Sequence, residues 1–221
     1  MNEDDTFLIQ LQTKKKTKYQ SGDLLKITPK SDAVPRYYSM GSEAQNILLS
    51  VKKHDFGICS NYLNQLNKND TLLASIEEHK NFHFPKKKKE VIFICNGTGI
   101  APFLGMINEN KNQHRTHLFW GGRNSKSFEI YKDLVEENLT KKQLSSLHLA
   151  YSREKEEQYV QHLVEKNSDL VAKVLSQKGT VMICGSLAME SGVKKALELI
   201  IRNDLKSEFK KFSNQIKTDC Y

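Results

Sequence analysis

Val91-Ile92-Phe93-Ile94-Cys95 is five apolar residues in a row with no polar alternation. A strand with one wet face alternates; a short unbroken run fits a strand covered on both faces, as in parallel sheets. The residues after it extend that reading. Asn96-Gly97-Thr98-Gly99 is a turn, and a helical stretch follows over 101–110, with Pro102 in the first turn, where its missing N–H is harmless. The rhythm then repeats. Strands are expected at 117–120, 147–151 and 181–184, and helices near 128–137, 159–176 and 189–202. Strands alternating with helices predict a doubly wound α/β parallel sheet.

The chain before this point has another period. Phe7-Leu8-Ile9-Gln10-Leu11, Leu24-Leu25-Lys26-Ile27, Arg36-Tyr37-Tyr38-Ser39-Met40, Asn46-Ile47-Leu48-Leu49-Ser50-Val51 and Leu72-Leu73-Ala74-Ser75-Ile76 are short β runs between turn signals. They predict an antiparallel β-barrel or sandwich. One helical segment interrupts them, starting near Ser60 with Tyr62, Leu63 and Leu66 on one face. The two periods meet at Pro85 and the Lys86–Lys89 run, so two domains are expected, 1–87 and 88–221.

The formal charge is +8, from 34 basic and 26 acidic residues. Two lysine runs stand out, Lys14-Lys15-Lys16 with Lys18 and Lys86-Lys87-Lys88-Lys89. Neither has interleaved aromatics or a nucleic-acid docking motif, and the excess is spread over both halves, so it reads as solvated surface and no nucleic-acid partner is expected. An acidic protein partner suits it better. No apolar run approaches the ~20 residues of a membrane helix, so no membrane segment is expected. The four cysteines, Cys59, Cys95, Cys184 and Cys220, are widely spaced, which argues against a metal site and for a reducing, cytoplasmic location.

The turn Gly97-Thr98-Gly99 lies between a buried strand and a helix. Glycine lets backbone approach a pyrophosphate, and a helix N-terminus favours its charge. By itself this turn is equally an ordinary strand-to-helix connection. It lacks the spacing of the usual dinucleotide fingerprint.

Taken in order, Arg36-Tyr37-Tyr38-Ser39, Gly57-Ile58-Cys59-Ser60, Gly97 to Phe103, Ser152-Arg153-Glu154 with Tyr159-Val160-Gln161, Cys184-Gly185 and an aromatic chain end resemble the ferredoxin–NADP reductase superfamily. They are most similar to the NADPH/FAD half of diflavin reductases such as cytochrome P-450 reductase and the sulfite reductase flavoprotein. The resemblance covers nearly the whole chain.

It implies FAD in the antiparallel domain and NADPH in the α/β domain. Tyr38 would stack on the isoalloxazine, Arg36 grip the FAD pyrophosphate, and Ser39 hydrogen-bond flavin N5; Tyr37 lies within that motif. Gly57, Ile58, Cys59 and Ser60 would meet the FAD phosphates, and Leu49, Ser50 and Val51 would line the flavin. Gly97, Thr98 and Gly99 would cradle the NADPH pyrophosphate. Ser152, Arg153 and Tyr159 would hold its 2′-phosphate, with Gln161 and Arg123 reaching toward the dinucleotide. Ser39, Cys184 and Asp219 would align hydride transfer, and Tyr221 would cover the flavin until nicotinamide displaces it.

The chain departs from the family in places. The usual Lys before Tyr159 is replaced by Glu156-Glu157-Gln158, and Ser186 stands after Gly185 where Asp is common. The family's first barrel strand and the diflavin helical insertion are missing, so the chain is expected to be part of a longer polypeptide or a minimal reductase. The implied function is an NADPH-dependent FAD oxidoreductase of the NADPH–hemoprotein or ferredoxin–NADP reductase type. It would pass single electrons to a flavodoxin or FMN domain. A non-catalytic nucleotide-binding remnant acting as a docking module is the alternative.

Overall fold

The computed structural model describes residues 4–29, 32–43, 46–111 and 114–221. Its first part holds two three-stranded antiparallel sheets. One is β1 (Thr6–Leu11), β5 (Asn46–Lys52) and β4 (Gly41–Glu43), with β5 central. The other has β2 (Leu24–Ile27) between β3 (Arg36–Ser39) and β6 (Ala74–Glu77). Leu25 and Ile27 from one sheet meet Ile47, Leu49 and Val51 from the other, and Leu63 of α1 (Ile58–Asn64) closes the core.

Strand β5 explains its own unbroken apolar sequence. Ile47, Leu49 and Val51 face this first core, whereas Leu48 joins a second core beneath the α/β part and Ser50 bonds to Tyr131 there at 2.6 Å. Burial on both faces removes the alternation that a half-wet strand would carry.

The second part is a five-stranded parallel sheet. Its order is β11 (Ile216–Cys220), β10 (Thr180–Gly185), β7 (Glu90–Asn96), β8 (Arg115–Gly122), β9 (Ser146–Tyr151). Val91, Phe93 and Cys95 of β7 point to one face, under α2 (Ala101–Asn108) and α3 (Glu129–Thr140). Ile92 and Ile94 point to the other, under α4 (Val160–Lys166), α5 (Ser168–Ser176) and α6 (Leu187–Asn203). The expected doubly wound architecture is therefore present.

Two details differ from the sequence expectation. The single helix over 159–176 is two helices broken at Asn167, whose φ/ψ of −109/34 leaves the helical region. The chain end is a strand: β11 pairs with β10 from Val181↔Ile216 to Gly185↔Cys220. Its residues are only half-buried, as on a sheet edge, so Lys217, Thr218 and Asp219 carry no apolar signal.

Phe82 and Phe84, ahead of the lysine run, pack into the α/β core beside Phe93 and Phe103. Lys14, Lys15, Lys16, Lys18, Lys86, Lys87 and Lys89 are exposed. No helix among the described residues is long and apolar enough to cross a membrane.

Candidate active site

Strand β7 has β8 on one side and β10 on the other. The chain thus leaves in opposite directions from neighbouring strand ends, and the crevice this opens is where α/β sheets bind ligands. A cleft of about 570 Å³ lies there. It is lined by the ends of β7, β8 and β10, by the start of α4, and by Asp4, Thr6, Lys52 and His54 from the antiparallel part.

The glycine turn forms the cleft floor. Gly97 has φ +51, and the position its Cβ would take has no atom within 4 Å, so the turn offers open space against bare backbone. That is a cradle fit for a pyrophosphate, and a side chain there would fill it. Thr98 Oγ1 lies 3.4 Å from the Tyr221 hydroxyl.

Asn96 and Ser186 frame the next turn. Asn96 Nδ2 donates to Ser186 Oγ at 3.1 Å, and the Ser186 N–H donates to Asn96 Oδ1 at 3.0 Å. Ser186 Oγ also accepts from the Met189 N–H at 3.3 Å as the N-cap of α6. This accounts for the departure at Ser186: Asp and Ser are both good N-caps. Asn96, Ser186, Trp120, Tyr131 and Asp4 all line the cleft and were not among the expected site residues. Ser186 had a legible signal as a cap residue before a helix. Asp4 had none.

Further along the cleft, Ser152 bonds twice to the Gly122 carbonyl, through N–H at 2.9 Å and Oγ at 3.2 Å. The Arg153 N–H donates to the Arg123 carbonyl, and the Arg153 side chain is exposed. Tyr159 is the N-cap of α4, and its hydroxyl donates to Glu157 at 2.6 Å, which pushes its pKa up. Arg123 Nη1 pairs with Asp4 Oδ1 at 3.1 Å. Gln161 lines the cleft beside Gly192. Ser152, Tyr159, Gln161 and Arg123 thus line one end of the cleft, with Arg153 beside them.

The other end joins the two parts of the molecule. Ser39 Oγ donates to Asp219 Oδ2 at 2.7 Å across 180 positions of sequence. Cys184 pairs with Asp219 in strand register and is fully buried. Burial pushes its thiol pKa well above the usual value, and the neighbouring Asp219 adds to this, with a Ser39 hydrogen bond working the other way. Cys184 is therefore a neutral S–H here, unsuited to act as a thiolate nucleophile.

Tyr221 is 62% exposed, yet its backbone is pinned: its N–H donates to Gly185 O at 3.0 Å, and its carbonyl accepts from Leu187 N–H at 3.3 Å. Tyr38 is half-buried near it. Burial raises the Tyr38 pKa first, followed by a hydrogen bond with the Cys59 thiol, and Tyr221 contributes a smaller upward push. Ser39, Cys184, Asp219, Tyr38 and Tyr221 thus form one cluster.

The remaining expected residues are less gathered. Tyr37 is 48% exposed on β3, with Lys26 Nζ 5.6 Å from its ring centroid. Arg36 bonds to its own loop, at Val34 O 2.7 Å and Asp32 Oδ2 3.1 Å. Ser60 Oγ donates to Gly57 O at 3.1 Å and accepts from the His54 N–H at 3.2 Å; Ile58 is 44% exposed beside them. Leu49 and Val51 are buried in the antiparallel core, so an approaching ligand would meet β5 through other atoms.

The chain is similar to known oxidoreductases. Residues 93–195 match the family model described as an oxidoreductase NAD-binding domain. The chain is 30% identical to a nitric oxide synthase of Anopheles stephensi over 76% of its own length and 16% of the relative's. It is 31% identical to the sulfite reductase [NADPH] flavoprotein alpha-component of Buchnera aphidicola over 74% of its length and 30% of the relative's. The chain thus spans less than a third of the length of these relatives. A mutant ferredoxin–NADP+ reductase from Plasmodium falciparum superposes with a TM-score of 0.81 at 21% identity, covering 98% of this chain and 88% of that one, which shows a shared fold. The family model on the α/β part and the shared fold across both parts agree: the chain carries an oxidoreductase NAD-binding domain within a ferredoxin–NADP reductase-type fold.

Proposed function

We propose that this chain is the NADPH- and FAD-binding unit of a flavoprotein reductase that delivers electrons singly to a flavodoxin or FMN domain. The observation that carries this is the Ser39–Asp219–Cys184 cluster, which ties β3 to β10 and β11 beside Gly185 and Tyr221 of the cleft lining. Residues 1–87 form the FAD domain in this reading and residues 88–221 the NADP domain.

The residues fit both groups. Gly97, with open space at its Cβ position, fits a pyrophosphate. Arg153 and the Ser152 hydroxyl suit a 2′-phosphate, with Arg supplying a bidentate fork. Exposed Tyr37 and Ile58, half-buried Tyr38 and the start of α1 offer a flat aromatic surface beside backbone donors. Bound together, the two cofactors supply hydride transfer from nicotinamide to flavin, the chemistry being theirs and the alignment the protein's.

The chain's own groups then have distinct tasks. Asp219 holds the Ser39 hydroxyl in one direction. Cys184 stays protonated, giving a compact wall that neither attacks nor carries charge. Tyr221 shields the site from water, and its anchored backbone leaves its exposed ring as the part that can yield. Such ordering before reaction lowers the entropic part of the barrier.

A basic surface with 34 Lys and Arg against 26 Asp and Glu would attract an acidic carrier. The four free cysteines suit a reducing cytoplasmic setting, either free or at the cytoplasmic face of a membrane. The test is optical. Purified protein should carry a flavin spectrum that bleaches anaerobically on adding NADPH, and reduced protein should then reduce flavodoxin. A colourless protein that ignores added FAD would end this reading.

A further inference from the structure

Trp120 is the chain's one tryptophan, and it is 1% exposed although it lines the cleft. Buried indoles usually find an acceptor for their single N–H. Here Nε1 donates to the Gly97 carbonyl at 3.0 Å, on the pyrophosphate turn itself. The far edge of the ring lies over Gly122. A Cβ on Gly122 would be 2.1 Å from Cη2 and 2.5 Å from Cζ3 of the indole, so residue 122 is bare backbone because this ring occupies the place. The Gly122 carbonyl in turn anchors Ser152 through two hydrogen bonds, and the Arg153 N–H bonds to the Arg123 carbonyl next to it. One rigid side chain therefore touches both the turn at the end of β7 and Gly122 at the end of β8, whose carbonyl holds Ser152 of the arm that follows β9.

We infer that Trp120 is a positioning residue that fixes the spacing between the Gly97 turn and the Ser152–Arg153 arm, and through it the preference for a 2′-phosphorylated dinucleotide. This rests on the dinucleotide reading above. The turn's φ of +51 is a conformation with few local restraints in glycine. Its carbonyl is held by the indole, which fixes the orientation of the turn's peptide groups. Without that bond the turn can rotate, and the arm loses the surface that sets its height. A ligand that engages both ends suffers most. NADP+ is such a ligand; NAD+ lacks the phosphate that reaches the arm.

The test is calorimetric titration of the purified protein with NADP+ and NAD+, free of any activity readout. Trp120→Phe should lose about tenfold in NADP+ affinity, from one buried hydrogen bond plus repacking, and distinctly less for NAD+. Gly122→Ala should lose a similar factor, because its methyl displaces the indole. The double variant should be no worse than either single one, since phenylalanine lacks the atoms the methyl meets. Additive losses, or an unchanged NADP+/NAD+ ratio in Trp120→Phe, would overturn the proposal. The native protein gives a check that needs no variant. Its single indole N–H resonance should shift, and exchange more slowly, when NADP+ is added. Binding of NADP+ that leaves this resonance unmoved would also overturn it. Native protein that binds neither dinucleotide would instead refute the dinucleotide reading, so the two failures are distinguishable.

Discussion

The two edges of the parallel sheet are made by the same strands and treat their polar groups in opposite ways. At the edge where strands begin, Glu90 is buried and its Oε1 faces His117 Nε2 at 3.1 Å, Arg115 Nε at 3.3 Å and Lys173 Nζ at 3.8 Å. His117 Nδ1 bonds to Ser146 Oγ at 2.8 Å, and Ser146 to His148 Nε2 at 2.9 Å. Thr116 and Asn110 both bond to the Gln143 carbonyl. Glu90, His117, Thr116, Asn110 and Gln143 are buried and bonded to one another or to neighbouring groups, with Arg115 and Lys173 covering Glu90 from outside, so this edge is closed. At the edge where strands end, glycines and N-caps replace bulky groups, and a cleft stands open. A closed polar network rigidifies a fold. An edge with bare backbone beside an open cleft leaves room for a ligand to complete it. Stability and binding should therefore be separable by edge.

The strongest way to break this comparison is Gly99→Val. A Cβ on Gly99 would lie 2.4 Å from the Cys184 carbonyl oxygen and 3.0 Å from the Gly185 Cα, and that backbone cannot give way as a flexible side chain would. A loss of about 3 kcal/mol or more in stability is expected from such overpacking, together with loss of dinucleotide binding. Ser146→Ala at the other edge should cost about 1 kcal/mol from its lost hydrogen bonds and leave NADP+ affinity native. If Ser146→Ala weakens binding as much as Gly99→Val does, the edges are not separable.

Tyr221→Ser sharpens the comparison within the open edge. Removing the ring should tighten nicotinamide binding and shift the NADPH/NADH preference toward NADH by about tenfold, the range of one lost aromatic contact. Steady-state rates with both coenzymes measure it. An unchanged preference means that Tyr221 does not cover the nicotinamide position.

How much of this was legible follows the same division. Val91–Cys95 is readable because burial on both faces leaves no choice but apolar residues. Asp219 and Tyr221 were reached only through family resemblance, because their strand is a half-buried edge whose polar sequence resembles a frayed end. The Trp120–Gly97 and Asp4–Arg123 contacts could not be read at all. Each joins residues far apart in sequence whose types are unremarked singly. The closed network was equally silent: Glu90 and Ser146 lie just outside the expected strands and His117 at the start of one, until the register brings them side by side.

The closed edge should respond to acid. Burial pushes the His117 pKa down, outweighing the upward pull of Glu90, and burial also pushes His148 down. The fold thus disfavours the charged form of both rings relative to the unfolded chain, which takes up a proton near pH 6.5. Between the native and unfolded pKa values the unfolded state binds more protons, so stability falls as pH falls. Lowering pH from 7 toward 5 should cost about 1 kcal/mol, read from denaturant unfolding at each pH. His117→Gln should flatten that slope. A slope equally steep in the variant would assign the acid sensitivity to other groups.

The smallest effect probes the open edge where it is least expected to carry negative charge. Asp4 lies in the cleft with 11% of its side chain exposed, pairs with Arg123 and accepts a hydrogen bond from Ser127. A carboxylate there neutralises the arginine and repels an incoming phosphate. Asp4→Asn keeps an acceptor for Ser127 and removes only the charge. Because Arg123 is 39% exposed, water screens the pair, and the gain should be modest, about threefold in affinity for NADP+. The salt dependence of binding should steepen as the arginine's charge is released to the ligand. Stability should change by less than about 1 kcal/mol. Weaker binding in Asp4→Asn would mean that the carboxylate aims Arg123 rather than competing for it. Unchanged binding would mean that Arg123 does not face the phosphates, and the boundary of the open edge would move to Ser152 and Arg153.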